Sequence, residues 1–167
     1  MYLIDEQYVR DNTRIGKNTK DDVIAPYLQD VQDIHVADLL GIPLMELYLN
    51  HIQQGTEIST IKASLLKDIR KFYAKRVEFE YTLLANVKLS NKGVTSPEGA
   101  ADLKAIDTVQ QSIAQQYTHY QDRILTIIQR NPDEFPEYYG NPEDVPSVRN
   151  TSYLGFSFKP LVKKRYF

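Results

Sequence analysis

The sequence predicts an all-α protein: an antiparallel bundle of about four helices, two of them long, followed by an extended C-terminal tail rich in proline and aromatic residues. Apolar residues recur at steps of three and four through most of the first 131 positions, as one face of a helix requires. Glycines and prolines fall between these runs, which places the turns there. With 167 residues and 42% hydrophobic content, one buried core is expected. We therefore predict an N-terminal segment over residues 1–20, a helical domain over 21–138 and a tail over 139–167.

The first predicted helix begins either near Asp22 or a turn earlier at Thr19, where Pro26 would kink it. It ends at Gly41, because glycine readily takes the left-handed conformation that follows helices. Asn18 or Thr19 is its candidate N-cap. Pro43 opens a second, shorter helix that stops at Gly55. The apolar stripe of the first helix consists of Val23, Ile24, Tyr27, Leu28, Val31, Ile34 and Leu39.

Two long helices follow, over about 57–89 and 97–131. In the first of them Arg76 occupies the one position of the apolar stripe that lacks an apolar residue. The break between them has Gly93 for a turn, Ser96 as N-cap and Pro97 at the first helical position. We expect the two to pack as an antiparallel hairpin, with the first two helices covering its apolar face. A first long helix of about 50 Å, at 1.5 Å per residue, would suit a strut.

The tail is proline-rich and aromatic, a composition that rules out a helix but is too apolar for a solvated segment. From residue 141 onward five basic residues face two acidic ones, a net charge of +3 that leaves −5 on the rest of the chain. The stretch from Tyr153 to Phe158 alternates like a strand that could add to a partner's sheet. We favour contact with a partner over folding back of the tail on its own domain. The residues that we expect to contact the partner are Tyr153, Leu154, Phe156, Phe158, Pro160, Leu161, Lys163, Lys164, Arg165, Tyr166 and Phe167.

Composition excludes several classes of protein. The chain has no cysteine, so disulfides, thiolate metal sites and cysteine nucleophiles are excluded. Its first residues do not resemble a secretion signal, and no apolar run approaches the roughly 20 residues of a membrane span. We therefore expect a protein that is made in the cytoplasm and does not contact a membrane.

Motifs that carry chemistry are also missing from the sequence. There is no P-loop, dinucleotide-binding glycine turn or nucleophile elbow. His35, His51 and His119 lack the spacing of helical metal sites, the nearest approach being His119 with Asp122, and we interpret them as surface or rim residues. Most acidic residues, and charged runs such as 67–75, are expected on solvated faces. We predict no enzyme: no catalytic residue, no metal ligand and no cofactor.

Three segments carry a resemblance to a known family. They are IAPYLQDVQDIHVADLLG (24–41), LANVKLSNKGV at the end of the first long helix (84–94) and YQDRILTIIQRNPDEFPEY (120–138). Together they resemble the helical head-to-tail connector, or neck, proteins of tailed bacteriophages, especially those of crAss-like phages. The resemblance covers roughly residues 20–138.

The resemblance implies a structural virion protein at the portal vertex. Such subunits form a homo-oligomeric ring, typically of twelve copies, that joins the portal protein to other neck or tail proteins and passes the genome through its lumen without binding it specifically. Terminal extensions in similar connectors often reach the portal, and we expect this role for residues 141–167. No catalytic residue transfers from the family.

The sequence leaves two alternatives of other classes open: a small helical-bundle enzyme, which would need a pocket with converging polar groups, and, ahead of it, a nucleic-acid-associated protein. Lys163, Lys164 and Arg165 precede two aromatic residues, a composition that can hold nucleic acid by charge and stacking. A helical nucleic-acid-associated protein that uses this end would bind in a strongly salt-dependent manner. Three neutralised phosphates give only weak binding, so an acidic groove on a protein is at least as good a partner.

Overall fold

The predicted all-α fold is confirmed by a computed structural model, which describes residues 1–85, 88–90, 93–95 and 103–139. The elements in chain order are α1 (Glu6–Asn12), α2 (Asp21–Asp30), a π-helix (Val31–Val36), α3 (Ala37–Leu40), α4 (Ile42–Gln54), α5 (Thr60–Ala85), β1 (Lys88–Ser90), β2 (Gly93–Thr95), α6 (Leu103–Arg130), a 3₁₀ turn (Pro132–Glu134) and α7 (Pro136–Tyr139). Within these residues no helix is long and apolar enough to cross a bilayer.

Helix α5 is the centre of the bundle. It packs along α6 on one flank and against α1, α2 and the π-helix on another. Contacts between Asp68 and Arg123 and between Phe72 and Tyr117 run in opposite directions along the two helices. The predicted antiparallel hairpin of two long helices is therefore confirmed.

The boundaries of the long helices differ from the prediction. Helix α5 starts at Thr60 rather than near 57, because the Ser59 hydroxyl accepts a hydrogen bond from the Lys62 amide (3.3 Å), as an N-cap does. Lys88 and Leu89, predicted as the end of this helix, form β1 together with Ser90; β1 pairs antiparallel with β2 so that Ser90 faces Gly93. Ser96 and Pro97, the predicted start of the next helix, lie outside the described residues.

The first predicted helix is present but interrupted. The Thr19 amide donates to the Gly16 carbonyl (2.8 Å), so residues 16–19 form a turn, and α2 begins after Lys20 rather than at an Asn18 or Thr19 cap. The helix ends at Gly41 (φ 74°), as predicted. Between these points the π-helix inserts one residue into the helical register, so Val36 is buried and Ile34 is 60% exposed. Placing Ile34 in the apolar stripe was therefore wrong, and Val23 is also exposed.

The N-terminal segment belongs to the core. Leu3, Ile4, Val9 and Ile15 are buried among the residues of α2 and α5. The Gln32 side chain holds the first residues in place, accepting from the Leu3 amide (2.9 Å) and donating to the Met1 carbonyl (3.0 Å). Helix α4 runs between Gly41 and Gly55 as predicted, and Gly55 ends it in the left-handed conformation (φ 68°).

Candidate functional site

Arg76 lies at the seam between α5 and α6. Its guanidinium stacks over the rings of Phe79 (5.1 Å) and Tyr117 (4.9 Å), and its Nη2 lies 2.8 Å from Glu80 Oε1. The Nε of Arg76 is buried without a hydrogen-bond partner among the described residues, while the charge of the group is stabilised by the aromatic rings. This packing explains why an arginine can occupy a position of the apolar stripe where an apolar residue is expected.

His35 joins the same cluster from the π-helix. Its Nε2 lies 3.1 Å from Arg76 Nη2 and 3.6 Å from Glu80 Oε1. A neutral ring can accept from the arginine there, whereas a protonated ring donates to the carboxylate. The His35 hydrogen bond, followed by the Arg76 guanidinium, lowers the pKa of the Glu80 carboxyl below its ordinary value of 4.5. The predicted rim position of His35 fits its half-buried ring.

Two acidic residues of α5 are buried, which corrects the prediction of a solvated charged face. Asp68 is 5% exposed and accepts from Arg123 Nη2 of α6 (3.0 Å). Glu78 is 1% exposed and accepts from Lys75 Nζ (2.7 Å) and from the Arg14 backbone amide (3.1 Å). Each carboxylate has charged or amide donors, which is what allows it to be buried.

The outward face of α6 carries almost no charge over four turns. Between Asp107 and Asp122 the sequence has no Asp, Glu, Lys or Arg. Gln111, Gln115 and Thr118 are exposed at steps of four and three, so they share one face. The inward side of this stretch packs on α5, where Tyr117 contacts Phe72 and Phe79, and Ile113 is buried. An exposed helix face with so few charges is typical of a protein contact, because interface centres are depleted of charged residues.

The layer formed by α2, the π-helix, α3 and α4 differs from that face in two respects. From residue 21 to residue 61 the sequence has seven acidic residues and no Lys or Arg. The same layer exposes three large aliphatic side chains: Val23 (43%), Ile34 (60%) and Ile42 (61%). This surface is therefore acidic and carries apolar side chains that nothing in the described part of the chain covers.

A shallow groove of about 340 Å³ follows one side of α4. Pro43, Leu47 and Ile58 give it apolar walls, and Glu46 and Glu57 add two carboxylates. Asn50 and Thr56 complete the lining, which includes no basic residue among those that the structure describes.

The residues that directly follow the 56–58 wall of this groove contact the end of the described chain. Ser59 Oγ donates to Glu134 (2.8 Å), and Lys62 Nζ donates to Glu137 of α7 (2.8 Å). Helix α7 packs on α4. The described chain therefore ends, at Tyr139, in a helix that contacts the helix bearing the groove.

His119 and Asp122 line another shallow surface depression, together with Arg123 and Arg130 on the same helix. Nowhere in the described ranges do three His, Asp or Glu side chains approach each other as a metal site requires. These two residues form part of the polar surface of α6.

One family matches the chain over residues 36–146, about two thirds of its length. This is the family described as a family of unknown function, DUF6712. The chain belongs to the DUF6712 family. No curated protein and no solved structure matches the chain.

The DUF6712 match places most of the features above in a family context. It begins at Val36 in the π-helix and continues through α7, so it includes the α5–α6 hairpin, the α6 face and the α4 groove. Helices α1 and α2 precede it.

The predicted partner-binding residues of the tail, from Tyr153 to Phe167, lie outside the described residues. The sites that sequence reasoning missed are on the body: the α6 face, the acidic layer and the α4 groove. A signal for two of them was present, since charge is absent from 108–121 and basic residues are absent from 21–61. The groove had no such signal, because its walls come from α4 and the 56–58 segment that follows it.

Proposed function

We propose that this DUF6712 protein is a structural subunit of a ring in the neck of a tailed bacteriophage. The ring joins the portal to the tail and passes the genome through its lumen, and the subunit performs no catalysis. The resemblance of residues 24–41, 84–94 and 120–138 to head-to-tail connectors is the first support. The all-α fold with a long central hairpin is compatible with it.

The observation that carries the proposal is the presence of two unlike, uncovered surfaces on different flanks of α5. A ring needs head-to-tail contacts, in which one surface of each copy meets a different surface of the next. The charge-poor face of α6, with Gln111 and Gln115, is one such surface. The α2–α4 layer with exposed Ile34 and Ile42 is the other. Helix α6 packs on α5, while α2 and the π-helix pack elsewhere on α5, so both faces remain available in one copy.

The charge distribution suits the passage of DNA. Without the last 27 residues the chain carries a net charge of −5. A negatively charged surface repels the phosphate backbone, so a lumen formed by it would let the duplex slide.

The tail supplies the contact with the portal in this proposal. Its aromatic residues, among them Tyr153, Phe156 and Phe158, would bury apolar area on the partner, and that burial must exceed an ordering cost of about 1 to 2 kcal/mol per fixed residue. Free copies can accordingly be monomers that assemble only on the portal.

Native mass spectrometry of the full chain tests the proposal. We expect a fixed number of copies, typically twelve, to load onto the purified portal ring of the same phage. A chain lacking residues 141–167 should load weakly or not at all. Loading of the truncated chain with undiminished affinity would contradict the role of the tail.

The competing outcome is binding to nucleic acid. If no association with the portal is found, duplex DNA is titrated at two salt concentrations, with Lys163, Lys164 and Arg165 changed to alanine as the comparison. Binding that falls steeply with salt and is lost in this variant would replace the connector proposal by the nucleic-acid one.

A further inference from the structure

We propose that the α4 groove is a docking site for the basic C-terminal end of the same chain, residues 159–167, in the free protein. The groove has apolar walls from Pro43, Leu47 and Ile58 and carboxylates from Glu46 and Glu57. The segment KPLVKKRYF offers the complementary set: Leu and Val, two aromatic rings and four basic residues. This inference goes beyond the connector role, since it concerns a single free copy.

Charge complementarity is the first argument. The groove lies in the stretch from 21 to 61, where seven acidic residues occur and no basic one. Lys62, the first Lys or Arg that follows this stretch in the sequence, is paired with Glu137. The carboxylates of Glu46 and Glu57 are exposed and receive no salt bridge among the described residues. A basic segment beside them gains attraction that no other part of the described body supplies.

The position and length of the tether form the second argument. The described chain ends at Tyr139 in α7, which packs on α4, the helix that bears the groove. The residues from 140 to the docking segment can span at most about 63 Å, at roughly 3.3 Å each, whereas α5 is only about 39 Å long at 1.5 Å per residue. The segment can therefore reach the groove of its own copy, and a short tether makes the local concentration far higher than that of another copy.

Docking in this place has a consequence for assembly. The groove begins at Pro43, directly after Ile42, which is one of the aliphatic side chains offered to a neighbouring copy in the connector proposal. A docked tail would occupy that region in the free protein, and a portal that takes the tail would release it. This consequence depends on the connector proposal, but the docking itself does not.

Distance measurement between two spin labels tests the docking in the full chain. The protein has no cysteine, so Gln53→Cys, exposed on α4 outside the groove lining, and one cysteine added after Phe167 give two defined sites. Double electron–electron resonance should show a single short distance at about 0.05 M salt that becomes a broad, long distribution at about 0.5 M. A broad distribution at both salt concentrations would overturn the proposal.

Charge reversal identifies the groove as the site. Glu46→Lys with Glu57→Lys should abolish the short distance, and reversing the tail with Lys163→Glu, Lys164→Glu and Arg165→Glu in the same chain should restore it. The control is Asp107→Lys with Asp122→Lys on α6, which makes the same change in net charge and should leave the distance unchanged. Loss of the short distance in this control would contradict a site on α4. Circular dichroism verifies that each variant is folded.

Mixing two singly labelled preparations distinguishes the occupants. If the tail docks in its own copy, no short distance arises between chains. A short distance that appears only in the mixture would show that a second copy is the occupant, and would overturn the proposal. Because no portal is present, failure here leaves the connector proposal untouched, and failure of portal loading leaves this one untouched.

Discussion

Buried charges of α5 show how single residues hold this bundle together. Glu78 is almost fully buried and accepts hydrogen bonds from Lys75 Nζ and from the Arg14 amide, which links α5 to the N-terminal segment. Asp68 accepts from Arg123 and links α5 to α6. A buried pair adds little net stability, but removal of one member leaves the other without a partner in a poorly solvated place.

We expect Glu78→Ala to lower the free energy of unfolding by about 3 kcal/mol, because Lys75 and the Arg14 amide would lose their acceptor. Urea denaturation followed by circular dichroism measures this. The control is Glu46→Ala, an exposed carboxylate on α4, which should change stability by no more than about 0.5 kcal/mol. Equal effects of the two substitutions would mean that water satisfies the donors around Glu78.

The cluster of His35, Arg76 and Glu80 predicts a pH dependence. The pKa of Glu80 is lowered in the folded protein, chiefly by the His35 hydrogen bond. Its contribution to stability is therefore complete above pH 4.5 and is lost as the pH falls through the lowered pKa. Glu80→Gln should thus be less stable than the natural chain at neutral pH, and the difference should vanish in acid.

Denaturation at a series of pH values measures the difference in free energy of unfolding between the natural chain and Glu80→Gln. The same difference is then measured in chains that also carry His35→Gln. The loss of stability caused by Glu80→Gln should be smaller in that background, because the largest cause of the lowered pKa is gone. The loss of stability that remains in this background should come from the ion pair between Arg76 and Glu80. A loss of stability that grows as the pH falls would contradict the sign of the argument.

At the scale of an element, the π-helix between α2 and α3 is the least regular feature and the most informative. Residues at steps of four are buried along this segment: Ile24, Leu28, Gln32, Val36 and Leu40. Val31 and Leu39 are buried beside them. The extra residue turns Gln32 inward and leaves His35 at the rim facing Arg76. The polar Gln32 is tolerated in the core because both ends of its amide are used.

Gln32→Ala should lower the free energy of unfolding by about 2 to 3 kcal/mol, since the Leu3 amide and the Met1 carbonyl would lose their partner. Hydrogen exchange should show that the Leu3 amide loses its protection. The matched variant is Gln29→Ala, exposed on α2, for which we expect neither effect. Retained protection at Leu3 would mean that packing alone holds the N-terminal segment.

At the scale of the whole molecule, the proposed ring contact makes the α6 face the point to perturb. Gln115→Glu places a charge at the centre of a face that has none between Asp107 and Asp122. We expect the variant to be as stable as the natural chain within about 0.5 kcal/mol, because the residue is exposed. Loading onto the portal should fall by about tenfold or more, because an interface does not readily accept an unpaired charge.

The control for that variant is Gln129→Glu, an exposed glutamine on the same helix next to Arg130 and outside the charge-poor stretch. It should load normally. Copy numbers from native mass spectrometry decide the matter, and normal loading of Gln115→Glu would remove the α6 face from the proposed contact.

The sequence by itself determined the helical class, the antiparallel pairing of the long helices and the ends of α4. These follow from local causes: apolar periodicity, and glycines such as Gly41 and Gly55 that adopt positive φ. The chemistry of the tail and the charge asymmetry of the chain also follow directly from the residues.

Tertiary structure alone decided where the helical register shifts and which charges are buried. Val23 and Ile34 fit the apolar stripe by spacing, yet both are exposed. Ile34 is exposed because it lies in the π-helix, where Gln32 and His35 contact distant residues. Asp68 and Glu78 resemble surface acids until Arg123 and Arg14 approach from elsewhere in the chain. The α6 face and the α2–α4 layer likewise depend on the tertiary structure. A face is available for a partner only if the fold leaves it uncovered, and here the two pack on different parts of α5.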